Sequence, residues 1–99
     1  MRIPVNPTKA IPGKFKVEAF YPNPFNSTTR LDFYVPITGS ISIDLFDITG
    51  RKSAKLVNDE FISGNHTLIL NGNDLSTGVY FVRVQSQGFN TVQKVVLIR

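Results

Sequence analysis

Few side chains of this sequence have the type and spacing that chemistry requires. His66 is the only histidine among the 99 residues and cysteine is absent, whereas a zinc site draws on several such ligands. Ser63, Ser76 and Thr77 carry hydroxyl groups, but no recognisable base stands near them in the sequence to activate a nucleophile. We therefore expect no catalytic group, no metal site and no cofactor, and a protein that a partner recognises rather than an enzyme.

One polar loop, residues 71–78, comes closest to a ligand-binding motif. It contains Asn71, Asn73 and Asp74, and oxygen-bearing side chains of this kind bind Ca²⁺. The loop has a single carboxylate and lacks the ligand spacing of a calcium loop, whereas asparagine, aspartate and glycine are the residues that turns favour. Turn chemistry explains the loop better than calcium binding, which stays open as the alternative.

The length and the composition indicate one globular domain. A chain of 99 residues can bury roughly two-thirds of its unfolded surface, and 41% apolar with 18% charged residues is near the globular average. The net charge is +4, but the 11 basic residues are scattered along the chain, so nucleic-acid binding is not expected. No apolar stretch has the length of a transmembrane helix.

Alternating apolar and polar residues predict seven β-strands and no helix. Leu31, Phe33 and Val35 repeat with the period of two that a strand with one buried face requires. The lysine-rich segment 51–57 is predicted at a sheet edge, where lysine discourages pairing with other chains. The predicted strands cover residues 15–20, 29–35, 41–45, 51–57, 66–70, 79–85 and 92–99. Because a single layer would leave an apolar face exposed, we expect an all-β, seven-stranded, immunoglobulin-like antiparallel β-sandwich.

The chain before the first strand has the composition of a linker arm. Residues 1–14 contain three prolines, and Gly13 stands near their end, which is typical of an extended connection. In the strand that follows, Val17 and Ala19 are predicted to share one face and Phe20 to lie on the other. The sequence is thus divided into an arm, residues 1–14, and a folded module, residues 15–99.

A proline-rich motif follows the first predicted strand, and a glycine precedes the sixth. The motif consists of Tyr21, Pro22, Asn23, Pro24, Phe25 and Asn26. Because proline fixes φ and asparagine tolerates left-handed geometry, we interpret the motif as a rigid turn between core or rim aromatic residues. Gly78 is expected to supply a positive φ before its strand, and the buried Tyr80 to have its hydroxyl hydrogen-bonded.

These motifs, in this order, resemble those of the C-terminal sorting domains, type A, of proteins exported by the type IX (Por) secretion system of Bacteroidota. The resemblance spans residues 15–99 and rests on the proline motif 21–26, the turn 47–51, the segments 64–66, 71–73 and 75–83, and the final strand 94–99. It implies a seven-stranded sandwich that targets an upstream passenger to the translocon. It also implies later removal by a sortase-like cysteine peptidase, within the arm that ends near Gly13.

The resemblance further implies where the domain acts and which residues are read. The expected partners are the type IX translocon, the sortase-like peptidase and the passenger, and the domain itself is expected to be a monomer. Its expected route leads through the periplasm to the cell surface or the extracellular space. No signal-peptide core stands near Met1, so we expect one domain of a longer exported protein. The family's recognition region implies Gly78, Tyr80, Lys94 and Arg99 as the candidate recognition residues.

Two other functions stay open. β-Sandwiches of this size also serve as carbohydrate-binding or adhesive modules of secreted enzymes, but sugar binding normally uses exposed aromatic platforms, and tryptophan is absent. A structural spacer, similar to the immunoglobulin-like part of flagellar hook-capping proteins, would share the turn glycines of this sequence.

Overall fold

A computed structural model describes residues 14–86 and 88–99. The predicted linker arm, residues 1–14, therefore lies outside the described residues except for Lys14. Seven strands are present: β1 (Lys16–Val17), β2 (Thr28–Val35), β3 (Gly39–Phe46), β4 (Lys52–Phe61), β5 (Gly64–Asn71), β6 (Gly78–Ser86) and β7 (Phe89–Leu97).

The strands form two antiparallel sheets that pack into a sandwich. One sheet has three strands in the order β1-β2-β5, and the other has four in the order β4-β3-β6-β7. Consecutive strands β2 and β3 lie in different sheets, as do β4 and β5, and β5 and β6, which is the Greek-key arrangement of immunoglobulin-like folds. The predicted fold class is confirmed.

The core consists of the inward side chains of both sheets. Alternation along β2, β3, β6 and β7 places large apolar side chains between the sheets, and burying each of them stabilises the fold by roughly 1.5–3 kcal/mol. The fully buried large residues are Leu31, Ile41, Ile43, Leu45, Leu97, Val35, Val82, Val84 and Val95. The inward face predicted for β2, with Leu31, Phe33 and Val35, is therefore confirmed.

The first strand is shorter than predicted, and the structure settles which of its faces is buried. The strand β1 has two residues, and it is Phe20, not Ala19, that lies in the core. Val17 pairs with Phe33, and Tyr21 pairs with Arg30. Between these two pairs, the segment that follows β1 contains one residue more than β2. This extra residue is a β-bulge, and it reverses which side chains face inward.

The limits of two other strands also differ from the prediction. The strand β4 extends to Phe61, beyond its predicted end at residue 57, because β3 pairs with it as far as Gly39. The strand β7 begins at Phe89 and ends at Leu97 instead of covering 92–99. The edge position predicted for the lysine-rich strand is confirmed, since β4 stands at one end of the strand order β4-β3-β6-β7.

Candidate functional site

The proline motif leaves the three-stranded sheet and joins the other sheet. Tyr21 still pairs with Arg30 of β2, but Phe25 forms a parallel bridge with Leu97 of β7. The Phe25 N–H donates to the Val96 carbonyl at 2.9 Å, and the Ile98 N–H donates to the Phe25 carbonyl at 2.8 Å. The motif predicted as a turn is therefore also a short additional strand beside β7. We call residues 23–25 the strap.

The side chain of Asn23 completes this pairing. Its Nδ2 donates to the Lys94 carbonyl at 3.0 Å, and its Oδ1 accepts the Val96 N–H at 2.9 Å. Proline has no N–H, so Pro24 cannot donate to the ladder, and the amide of Asn23 takes the place of a peptide group. The peptide bonds before Pro22 and before Pro24 are cis.

The loop 71–78 packs against the strap at Gly72, where a side chain would be crowded. A Cβ on Gly72 would lie 3.0 Å from Phe25 Cε2 and 3.1 Å from Leu97 Cδ1, closer than carbon atoms normally approach. The Gly72 N–H donates to the Ser27 carbonyl at 2.9 Å. The loop, the strap and the end of β7 thus form one continuous cluster, which we call the strap end.

The loop's asparagines are engaged in turn hydrogen bonds. The Asn73 N–H donates to Oδ1 of Asn71 at 2.8 Å, and the Leu75 N–H donates to the Gly72 carbonyl at 3.0 Å. Among residues 14–86 and 88–99 there is no group of three or more His, Cys, Asp or Glu side chains that could hold a metal ion. The geometry supports the turn interpretation of the loop.

Two of the candidate recognition residues, Gly78 and Tyr80, belong to β6 and support the loop 71–78. Gly78 has φ of +158° and pairs with Leu97. Tyr80 is 7% exposed, and its hydroxyl donates to the Ser76 carbonyl at 2.7 Å. The expected positive φ of Gly78 and the expected hydrogen bond of Tyr80 are confirmed. A partner cannot reach the ring of Tyr80 on the folded domain, because that ring lies in the core.

The other two candidate recognition residues have exposed side chains. Lys94 is exposed, and its carbonyl accepts the hydrogen bond from Asn23. The guanidinium of Arg99 donates to the carbonyls of Gly72 and Leu75, at 2.7 Å for Leu75. The structure therefore places all four candidates near the strap end, but on different faces of it.

The second turn motif, residues 47–51, is closed by one carboxylate. Oδ1 of Asp47 accepts the Thr49 N–H at 2.9 Å, the Thr49 hydroxyl at 2.5 Å and the Arg51 N–H at 3.1 Å. The hydrogen bond from the Thr49 hydroxyl is the largest influence that lowers the pKa of Asp47. Gly50 has φ of +89°, which favours glycine. These contacts assign the motif a structural role in the β3–β4 turn.

His66 lies apart from the strap end. It pairs with Phe33 in the register of β2 and β5, and its ring packs edge-on against Phe61 with centroids 4.9 Å apart. Nε2 lies 2.7 Å from the Ile62 carbonyl oxygen. The histidine is thus held by aromatic packing and by a main-chain hydrogen bond.

The sequence analysis missed that the proline motif and β7 are partners. The available signal was Asn23 itself, an amide side chain between two residues that lack an N–H. Such a side chain can pair with a strand edge where the main chain cannot. The position of the edge it pairs with, 73 residues further along, is not encoded in any local pattern.

The fold and the strap end define a class: a small immunoglobulin-like sandwich in which an early proline motif is fastened to the last strand. The family model described as "Secretion system C-terminal sorting domain" matches residues 19–98. The chain belongs to this family, whose members are the C-terminal sorting signals of type IX secretion. No curated protein sequence matches the chain.

Membership of this family fixes what kind of role the chain has. It is a signal for export to the cell surface or the extracellular space, it acts together with the secretion system and an upstream passenger, and its family is not a catalytic one. In the described part of the chain no helix is long and apolar enough to cross a membrane.

Proposed function

We propose that residues 15–99 are a transferable, monomeric address that carries an upstream passenger through the periplasm and across the outer membrane. The observation that carries this proposal is the family match over residues 19–98, which coincides with a unit whose first and last parts are hydrogen-bonded to each other. The Asn23 amide and the Phe25 main chain make four such bonds to residues 94–98. A unit joined in this way can fold independently of the passenger to which it is attached.

The recognition surface of this proposal includes the strap end. Lys94 is exposed and is assigned direct contact with the translocon. Gly78, Tyr80 and Arg99 are assigned a positioning role, because they hold the loop 71–78 through the contacts described above. In this proposal the translocon recognises the conformation of the loop 71–78 together with the positive charge of Lys94 beside it.

Cleavage in the arm completes the proposal. A sortase-like cysteine peptidase would cut before β1, within residues 1–14. Cleavage there would separate the passenger from the signal before Lys16, the first paired residue in the part of the chain that the structure describes.

A carbohydrate-binding role is not supported by the exposed aromatic residues. Phe46 and Phe81 are neighbours on the outer face of the four-stranded sheet, which is the arrangement a sugar platform would need. However, the guanidinium of Arg83 lies over the Phe46 ring, 4.9 Å from its centroid. One face of the Phe46 ring is therefore occupied by a guanidinium instead of being open to a sugar.

The test is a reporter fused in front of residues 15–99 in a host that has type IX secretion. We expect the reporter outside the cell with the parent domain and in the periplasm with Lys94→Gln combined with Arg99→Gln. Glutamine keeps hydrogen-bond donors, so the loop contacts of residue 99 are disturbed less than with alanine. The matched control is Lys16→Gln with Arg30→Gln on the other sheet, where both side chains are in exposed ion pairs of little energetic weight.

The outcomes separate the two parts of the proposal. Retention of the parent fusion in the periplasm would overturn the function itself. Export of the Lys94 and Arg99 variant at the parent's level, with an unchanged thermal midpoint, would remove these two charges from the signal. A variant whose midpoint falls is replaced by Lys94→Gln alone, because that side chain makes no hydrogen bond among the described residues.

A further inference from the structure

The outer face of the four-stranded sheet carries two adjacent rows of paired side chains. Cross-strand partners point to the same side of a sheet, so the register defines each row. The first row is Lys55, Asp44, Arg83 and Val92, and the second is Lys52, Phe46, Phe81 and Lys94. Four cations, one carboxylate and two aromatic rings therefore share one surface.

Two irregularities in β4 bring both of its lysines to this surface. Lys52 and Lys55 are three residues apart, so in a regular strand they would point to opposite faces. The register shifts once between Ile43 and Asp44 and again between Leu45 and Phe46, so that Lys52 faces Phe46 and Lys55 faces Asp44. β-Bulges re-aim side chains in this way. In the sequence, these lysines indicated only an edge strand.

Asp44 gathers three of the cations around one carboxylate. The residue is 2% exposed, and its oxygens lie 3.2 Å from Lys55 Nζ, 3.7 Å from Lys52 Nζ and 3.7 Å from Arg83 Nη2. Burial disfavours its ionised form, but the hydrogen bond from Lys55 and the charges of all three cations outweigh this and lower its pKa. One carboxylate cannot neutralise three cations, and Lys94 adds a fourth beside them.

The excess positive charge is confined to these two rows. The next row consists of Asn58, Ser42, Gln85 and Asn90, all of them uncharged. Within the rows, Phe46 and Phe81 are partly exposed between the cations, and Val92 is 54% exposed. Arginine and aromatic residues around an apolar centre are typical of the energetically important part of protein interfaces.

Arg83 retains hydrogen-bonding capacity for a partner. Its side chain is 35% exposed, and its Nη2 lies 3.7 Å from Asp44 Oδ2, an ion-pair distance. A guanidinium has five N–H donors. The centre of the two rows can therefore accept further carboxylate oxygens.

We propose that this basic face, defined by Lys52, Lys55, Arg83 and Lys94 around Phe46 and Phe81, docks an acidic protein surface. The proposal rests on the proposed export function and deepens it: the partner surface belongs to the secretion machinery and presents carboxylates around an apolar contact. A membrane surface fits less well, because the two aromatic rings are partly covered by their neighbours instead of projecting for insertion.

The chemistry of the face is tested on the 99-residue chain by NMR titration with a synthetic peptide of alternating glutamate and leucine. We expect amide shifts in β3, β4 and β6, with an affinity that falls as salt rises. Lys52→Glu with Lys55→Glu should weaken binding by about tenfold or more. Asp44→Asn removes the carboxylate and should bind at least as tightly as the parent, a result that loss of folding would not produce. Lys14→Glu with Lys16→Glu is the control for net charge.

Three results would overturn the docking proposal. They are shifts confined to the three-stranded sheet, an affinity unchanged by the Lys52 and Lys55 substitutions, and binding to anionic phospholipid vesicles without binding to the peptide. The last result would assign the face to a membrane.

The use of the face is tested in the reporter fusion. Lys52→Glu with Lys55→Glu should lower export by about fivefold or more, since like charges across an interface oppose docking, while the Lys14 and Lys16 control is exported normally. The neutral combination of Asp44→Asn, Lys52→Gln and Lys55→Gln guards against misfolding, because it removes the buried charge together with two of its three cationic partners. Equal export of the parent and of the folded variants overturns the inference alone. If the fusion with the parent domain is not exported, the proposed function is overturned. The peptide titration alone then decides whether the basic face docks an acidic surface.

Discussion

At the scale of single residues, one amide side chain fastens the proline motif to the sandwich. Asn23 both donates to and accepts from the main chain of β7, which two flanking prolines could not do. Below it, the Thr29 hydroxyl donates to the Pro22 carbonyl at 2.6 Å, so this buried threonine is also satisfied. The motif's residue types are thus explained by hydrogen bonding, with no partner invoked.

Replacing Asn23 with alanine should lower the free energy of unfolding by about 1–2 kcal/mol, because two hydrogen bonds are lost. The local effect is more specific: amide hydrogen exchange at Val96 should accelerate, since its N–H loses its acceptor. The control is Asn26→Ala, an exposed neighbour with no side-chain hydrogen bond to the described residues. Equal exchange rates at Val96 in both variants would contradict the role assigned to Asn23.

Asp44 should make stability depend on pH. Its folded-state pKa lies below the ordinary value of 3.8, so its ionised form stabilises the fold above about pH 4, and this stabilisation disappears as the pH falls through the lowered pKa. Urea unfolding of Asp44→Asn should therefore show a loss of about 1–3 kcal/mol at pH 7. The difference from the parent should narrow toward pH 2. A difference that stays constant over this range would show that the effect is not one of charge.

At the scale of elements, alternation predicted the strands but not the irregularities between them. The inward faces of β2 and β3 follow from their strict period of two, because solvent and core impose that period on the sequence. Each bulge, near Ala19 and within β4, shifts the register by one residue. A bulge is defined by the pairing with another strand, so the local alternation of residues does not show it. The pairing of the strap with β7 was hidden for a similar reason, since it depends on residues far apart in sequence.

One methyl group added at Gly72 should disturb the packing of the loop 71–78 against the strap and β7. Gly72→Ala would press a Cβ against Phe25 and Leu97, and crowding of this kind costs about 1–3 kcal/mol. Gly39→Ala is the matched control, because its Cβ would meet only the Ile37 carbonyl at 3.7 Å. Denaturant midpoints should fall for the first variant and stay close to the parent for the second. The reverse order would contradict the packing described for the strap end.

At the scale of the whole molecule, the apolar core alone should support a cooperative, metal-independent monomer. Fourteen buried apolar residues form one cluster that spans both sheets, and isolated domains of this size usually unfold in a single transition. We expect one thermal transition whose midpoint is independent of protein concentration and changes by less than about 1 °C with a chelator. A fall of several degrees with the chelator would indicate a metal site and revive calcium binding by loop 71–78.

The bonds between Asn23 and β7 also bear on the order in which the protein is made. Their partners are separated by 71 and 73 residues, so a ribosome must complete β7 before the strap has anything to pair with. A nascent chain interrupted before Lys94 lacks the strap's partner, the hydrogen bonds of Arg99 to the loop 71–78 and the Lys94 charge of the basic face. The complete sandwich, which is the export signal, can therefore form only after the whole domain has been translated.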